Sequence, residues 1–136
     1  MNRCQNCQTE LISGIHSVPT HIGSYVVEGD AQCDSCPNCY YYEIMMKDGL
    51  LLELRAAQVV LHEAEKINGE VLKFARKAAG FTKEKLAKKL ELSLLTIDQY
   101  ETDKLPFLPT YPLALAGLLS HAERSLLGQN IGYIKK

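Results

Sequence analysis

Apolar and polar positions keep a period of two near the N-terminus of this chain and a helical period after Met46. From His16 to Gln32 the two kinds alternate around Gly23, with Tyr25 and Val27 on one face, which predicts a short hairpin. The run YYYEIMM, from Tyr40 to Met46, predicts a further strand. Asp48 is placed to cap a helix through GLLLELRAAQVVLHEAEK, and Asn68 and Gly69 to break it. In that helix Leu51, Leu54, Gln58 and Leu61 form one stripe, and Leu52, Ala56, Val59 and Val60 another. A helix apolar on so many sides must pack, either on its own N-terminal module or on a second copy of the chain.

Three short helices are expected between Glu70 and Leu105. EVLKFARKAAG turns Val71, Leu72 and Ala75 inward and ends at Gly80; Thr82 caps TKEKLAKKLEL; Ser93 caps SLLTIDQYETDK. Leu72, Leu86, Leu90 and Ile97 supply a stripe to hold them together. A tight turn between the last two suits a helix-turn-helix, in which the third helix lies in the major groove of DNA. After a proline-punctuated loop, Thr110 is expected to cap a fourth helix through Leu119. A short fifth follows to Leu127, closed by Gly128, and then a mobile tail.

The net charge of -1 conceals an uneven distribution. Residues 1–69 carry four Lys/Arg against nine Asp/Glu and residues 70–105 eight against six, so an acidic front precedes a mildly basic middle. The pattern and the charge together predict an α+β chain in four parts. Residues 1–46 form a small β module that holds all five cysteines, 47–68 a connecting helix, 69–127 an all-α helix-turn-helix domain, and 128–136 a tail. No apolar run reaches the roughly 20 residues of a membrane helix, and the N-terminus lacks a signal pattern. The expectation is therefore a soluble, cytoplasmic protein without a membrane partner.

In a reducing compartment five cysteines read as metal ligands before disulfides, and all five lie in the first 39 residues. Cys-x-x-Cys lets one tight turn present two sulfurs to the same ion, and two such turns close a tetrahedral structural site. The first pair is Cys4 and Cys7. The second is Cys36 and Cys39 or Cys33 and Cys36. Pro37 suits the first position of a tight turn, which favours Cys36 and Cys39 and leaves Cys33 as a free thiol or alternate ligand. One structural Zn2+ per chain is expected; iron in a rubredoxin-like site uses the same four sulfurs. His16 and His21 read as solvated polar residues, and His62 and His121 as surface positions. There is no phosphate-cradling glycine loop and no nucleophile with an evident base, and four thiolates leave a metal no open position, so no enzymatic activity is expected.

The string RKAAGFTKEKLAKKLELSLLTIDQYET, beginning at Arg76, resembles the Cro/XRE helix-turn-helix. Preceded by a four-cysteine module, the order of parts over roughly residues 1–120 resembles the MqsA/YgiT family of zinc-containing antitoxins and transcriptional regulators. The resemblance implies that Arg76 and Glu101 pair ionically as scaffold and that Ile97 and Tyr100 are buried. Lys83 would contact a phosphate, and Ser93, Leu94, Leu95, Thr96 and Gln99 would face the groove. Gln99 has the donor and acceptor that grip adenine N6 and N7. Leu94, Leu95 and Asp98 depart from antitoxins that carry asparagine and arginine here, and Tyr40 stands where the family's knuckle has glycine.

The function this implies is a homodimeric regulator that docks on a palindromic operator in double-stranded DNA. It would be the antitoxin of a type II toxin-antitoxin system, with a toxin protein bound at the N-terminal module. The alternative is a zinc-stabilised protein-interaction or dimerisation module whose helix-turn-helix does not bind DNA specifically.

Overall fold

The computed structural model of the protein describes residues 2–39 and 41–128. Three antiparallel strands, β1 (Ile12–Ile22), β2 (Tyr25–Ser35) and β3 (Tyr42–Ile44), form one sheet in the order β1-β2-β3. The hairpin is longer than the alternation from His16 to Gln32 predicts, pairing Ile12 with Ser35 at its far end and Ile22 with Tyr25 at the turn. Gly23 makes so tight a turn possible: its φ of 59° is strained for any side chain with a Cβ. Val18, Ile22, Ala31 and Cys33 are buried on one face, while Ser17, Val26, Glu28 and Asp30 are exposed on the other. The third strand stops at Ile44, and Met46 already begins a helix.

That helix, α1 (Met46–Glu63), lies between the sheet and the remaining helices. Its two apolar stripes have different partners. Leu52 packs with Val18 and Ala31, and Ala56 and Val60 pack with Ile22, Tyr25 and Val27, all on the sheet side. Leu54 and Ala57 belong to the helical core, where Leu61 also packs. The expected burial against the chain's own N-terminal module is therefore met, and a second apolar layer covers the other side. Val59, beside Val27 at the edge of the sheet contact, is left 40% exposed.

Two expectations for α1 need correction. Met45, in extended conformation, is the N-cap, and Asp48 sits within the first turn, where its charge favours the helix N-terminus without capping it. The helix also ends earlier, with Ala64 as its C-cap. Asn68 does not break α1; its side chain accepts from the Val71 amide at 3.1 Å and caps the next helix.

The next helices are α2 (Gly69–Ala78), α3 (Lys83–Leu90), α4 (Leu94–Glu101) and α5 (Thr110–Leu126). Thr82 and Ser93 cap α3 and α4 as expected, accepting from the Lys85 and Thr96 amides. Gly80, with φ of 87°, closes α2. The helix α3 ends at Leu90 because Glu91 is left-handed, and α4 ends at Glu101, ahead of the left-handed Asp103. At the C-terminus the two expected helices are one continuous α5. Pro109, not Thr110, occupies the N-cap, without a side-chain hydrogen bond, and no breaker lies between Leu119 and Leu126. Gly128 follows this helix with φ of 71°. Tyr40 and the expected tail beyond Gly128 lie outside the described residues.

Leu72, Leu86, Ile97, Leu115 and Leu119 are fully buried in one core, with Leu90 packed at its edge. Burial of each such side chain contributes roughly 1.5–3 kcal/mol. Isolated helices as short as α3 and α4 are marginal in water, so this core and not helix propensity holds them. Within it the guanidinium of Arg76 on α2 meets the carboxylate of Glu101 on α4 through two bonds, Nε to Oε2 at 2.6 Å and Nη2 to Oε1 at 3.1 Å. Arg76 Nη1 also donates to the Phe81 carbonyl at 2.9 Å, so the pair ties α2, α4 and the α2–α3 loop together.

Candidate metal centre and helical surface

Two turns present the sulfurs. In the first, the Cys4 amide donates to Thr9 O, the Gln8 amide donates to Cys4 O, and Gln8 takes a left-handed φ of 62°. Arg3 Nη1 holds the Gln8 carbonyl at 3.0 Å, stabilising that bend. The second turn follows β2: the Cys36 amide donates to Tyr41 O at 2.7 Å, with Pro37 to Cys39 forming the turn between.

The four thiol groups of Cys4, Cys7, Cys36 and Cys39 lie within 4.8 Å of one another. Cys4 Sγ is 3.4 Å from Cys39 Sγ, and Cys7 Sγ is 3.4 Å from Cys36 Sγ and 3.7 Å from Cys39 Sγ. A tetrahedral ion with metal–sulfur bonds of about 2.3 Å requires sulfurs about 3.8 Å apart. The donor set and its spacing therefore fit a metal ion. Cys4 and Cys36 are buried and Cys39 is exposed, so the centre sits at the rim of the sheet. The Asn6 amide points at Cys4 Sγ at 3.4 Å, the kind of outer contact that orients a thiolate ligand.

The thiols differ in acidity. Hydrogen bonds from the side chain and amide of Thr9, with help from Asn38 and Cys36, bring Cys7 down to about 6. Cys39 is pushed up to about 12. The Tyr41 amide is the largest single influence and favours its thiolate, but hydrogen bonding with Cys4, burial, and the sulfurs of Cys36 and Cys7 together outweigh it. Crowded thiols avoid adjacent negative charges in this way, and a divalent cation removes the conflict.

Cys33 is outside the cluster. It is buried on β2, opposite Gly14 of β1 and Ile44 of β3, and burial, then the Asp34 charge, raises its thiol pKa. Of the two open spacings for the second pair, the structure brings together Cys36 and Cys39. Neither His16 nor His21 joins the cluster; His16 Nε2 lies 3.2 Å from Ser35 Oγ, and His21 is exposed.

The helical part presents a second surface. Ile97, Tyr100 and Glu101 bury one side of α4. The other side shows Leu94, 45% exposed, Leu95, 64% exposed, and Ser93, with Thr96 and Gln99 half-buried beside them. Ser93 Oγ meets Thr96 Oγ1 at 2.7 Å, so both hydroxyls are already engaged in the cap. Lys85, Lys88 and Lys89 are exposed on α3. Lys83 is not free: its Nζ lies 2.7 Å from Asp98 Oδ1 of α4. That hydrogen bond raises the Lys83 pKa and lowers that of Asp98. Spacing along the chain gives no sign of this contact, because it depends on how two helices cross.

Sequence reasoning also missed two polar clasps outside these surfaces. Asp103 Oδ1 accepts from the Gly69 amide at 2.7 Å, and Glu123 of α5 accepts from Arg55 Nε at 2.9 Å and Gln58 Nε2 at 2.8 Å on α1. Glu123 is held below the usual carboxylate range, first by Arg55 and then by Gln58. Among the described residues no helix is long and apolar enough to cross a membrane. Comparison with protein-family models and with curated proteins gives no match to this chain.

Proposed function

We propose that the protein is a DNA-binding transcriptional regulator of the antitoxin kind, with a structural zinc ion at Cys4, Cys7, Cys36 and Cys39. The observation that carries this reading is the two-sided α4. Ile97, Tyr100 and the Arg76–Glu101 pair anchor its inner side, while Ser93, Leu94, Leu95, Thr96 and Gln99 lie together on its outer side. With α2 and α3 this makes a helix-turn-helix whose recognition helix is α4. Gln99 would read an adenine edge, Leu94 and Leu95 would contact thymine methyl groups, and Lys83 with the lysines of α3 would meet phosphates. A homodimer would set two such helices about one DNA turn apart on a palindromic operator.

The N-terminal module serves protein binding in this reading. The outer face of its sheet carries Glu28 and Asp30, both exposed, which suits a basic toxin. Cys4, Cys7, Cys36 and Cys39 would hold the zinc as thiolates, and the ion would tie together the segments that flank β1 and β2 and add stability to a small sheet.

Replacing Gln99 by Ala tests the reading by fluorescence anisotropy. The expected result is weaker binding to operator DNA with binding to scrambled DNA unchanged, a loss of about 1–3 kcal/mol confined to the specific sequence. Equal binding of both proteins to both DNAs would remove the assignment of α4. A second reading, in which the helical surface binds protein, is favoured by one observation: two leucines stand exposed on that face, Leu95 the more so. If Leu95→Ser abolishes self-association in sedimentation without DNA while Gln99→Ala changes nothing, the second reading holds.

A further inference from the structure

We propose that Asp98 is an affinity-setting residue of this DNA surface: its carboxylate occupies the Lys83 ammonium in the place a DNA phosphate would take. The inference rests on the DNA-binding reading above and adds to it an internal competitor. Lys83 is the first residue of α3 and Asp98 lies in the middle of α4, so the 2.7 Å contact bridges the two helices at the edge of the outer face. Both side chains are partly open to solvent, at 34% and 42%, so an incoming phosphate can reach the pair.

Among the described residues Lys83 has no other hydrogen-bonded carboxylate. Glu101 acts on it through space but is committed to Arg76, and Lys104 faces Asp98 from beyond the end of α4. A phosphate that engages Lys83 must share the ammonium with Asp98 or displace it, and in either case lies beside a carboxylate. Displacement is possible because a surface ion pair is weak. The consequence is a surface with low affinity for arbitrary duplex, on which base contacts from the rest of α4 must supply the preference.

The test uses the full-length, metal-loaded chain and a fluorescein-labelled random-sequence duplex of 20 base pairs, titrated at several salt concentrations. Asp98→Asn, which keeps the shape and removes the charge, is expected to raise affinity about fivefold at low salt, and to steepen the salt slope by about 0.9 as one more lysine becomes available to phosphate. Lys83→Ala alone is expected to lower wild-type affinity by no more than about twofold, since its charge is already matched. In the Asp98→Asn background the same substitution should erase the gain. A gain that persists without Lys83 would show that Asp98 acts by general repulsion, and would overturn the assignment. Binding by the wild type with no gain in Asp98→Asn would also overturn it and leave the DNA-binding reading standing. Failure of the wild type and all variants to bind duplex would remove both.

Discussion

Cys36 is a candidate metal ligand under either spacing of the second cysteine pair, whereas Cys33 is a candidate under only one. The geometry now separates them, with Cys36 in the sulfur cluster and Cys33 within the strand packing. Cys36→Ser is expected to abolish stoichiometric metal binding, measured by elemental analysis of purified protein, while Cys33→Ser retains one ion per chain. A different residue-scale expectation concerns Tyr111, whose buried hydroxyl has no hydrogen-bond partner among the described residues and whose ring stacks edge-on to Tyr100 at 4.8 Å. Removing an unsatisfied buried hydroxyl relieves its desolvation cost, so Tyr111→Phe should be neutral or stabilise by up to about 1 kcal/mol in denaturant unfolding. A loss of more than that would show that the hydroxyl has a partner. The Arg76–Glu101 pair behaves in the opposite sense. Glu101→Ala strands a buried guanidinium, and a cost of about 3–5 kcal/mol is expected.

Elements that carry their own start and stop signals were legible in the sequence. Thr82 and Ser93 cap their helices, Gly23 turns the hairpin and Gly80 ends α2, because each acts within a few residues of itself. The errors fall where distant chain decides the local conformation. Asn68 and Gly69 read as a break, yet they open α2: Asn68 caps it locally, while what fixes Gly69 lies more than thirty residues away. A Cβ on Gly69 would stand 2.2 Å from the Glu101 carbonyl oxygen, and the Gly69 amide is satisfied by Asp103. The close approach of α2 to the end of α4 demands glycine there. Gly69→Ala is accordingly expected to destabilise by about 3 kcal/mol, by overpacking against backbone that cannot yield. A change under about 0.5 kcal/mol would contradict that crossing. The contact between α1 and α5 was equally hidden, and it predicts a pH dependence. Glu123 is depressed by Arg55 and Gln58, so its contribution is complete above the ordinary carboxylate pKa and is lost as pH falls through the lowered folded value. The stability difference between wild type and Glu123→Gln should therefore shrink on acidification; a constant difference from pH 7 to pH 3 would mean the clasp does not form.

At the scale of the whole molecule α1 joins the parts. One stripe of it closes the sheet and the other closes the helical core, so sheet and helices share an element. The amphipathic pattern announced that α1 must pack, on the N-terminal module or on a second copy of the chain, but not that the helical core would take its other side, since periodicity gives faces and no partners. The four-cysteine cluster lies at the far end of the sheet from Gly23, between the turns that flank β1 and β2. Chelation should then broaden amide resonances of residues 12–44 first, while those of α2 to α5 persist. The central claim concerns the helical surface, and titrating DNA from upstream of the protein's own coding region against scrambled DNA, by fluorescence anisotropy at two salt concentrations with zinc bound, tests it most directly. The account predicts at least a tenfold preference for the upstream sequence, about 1.4 kcal/mol, that survives the higher salt. Equal binding to both DNAs, or none to either, would contradict it and turn the surface of α4 toward protein.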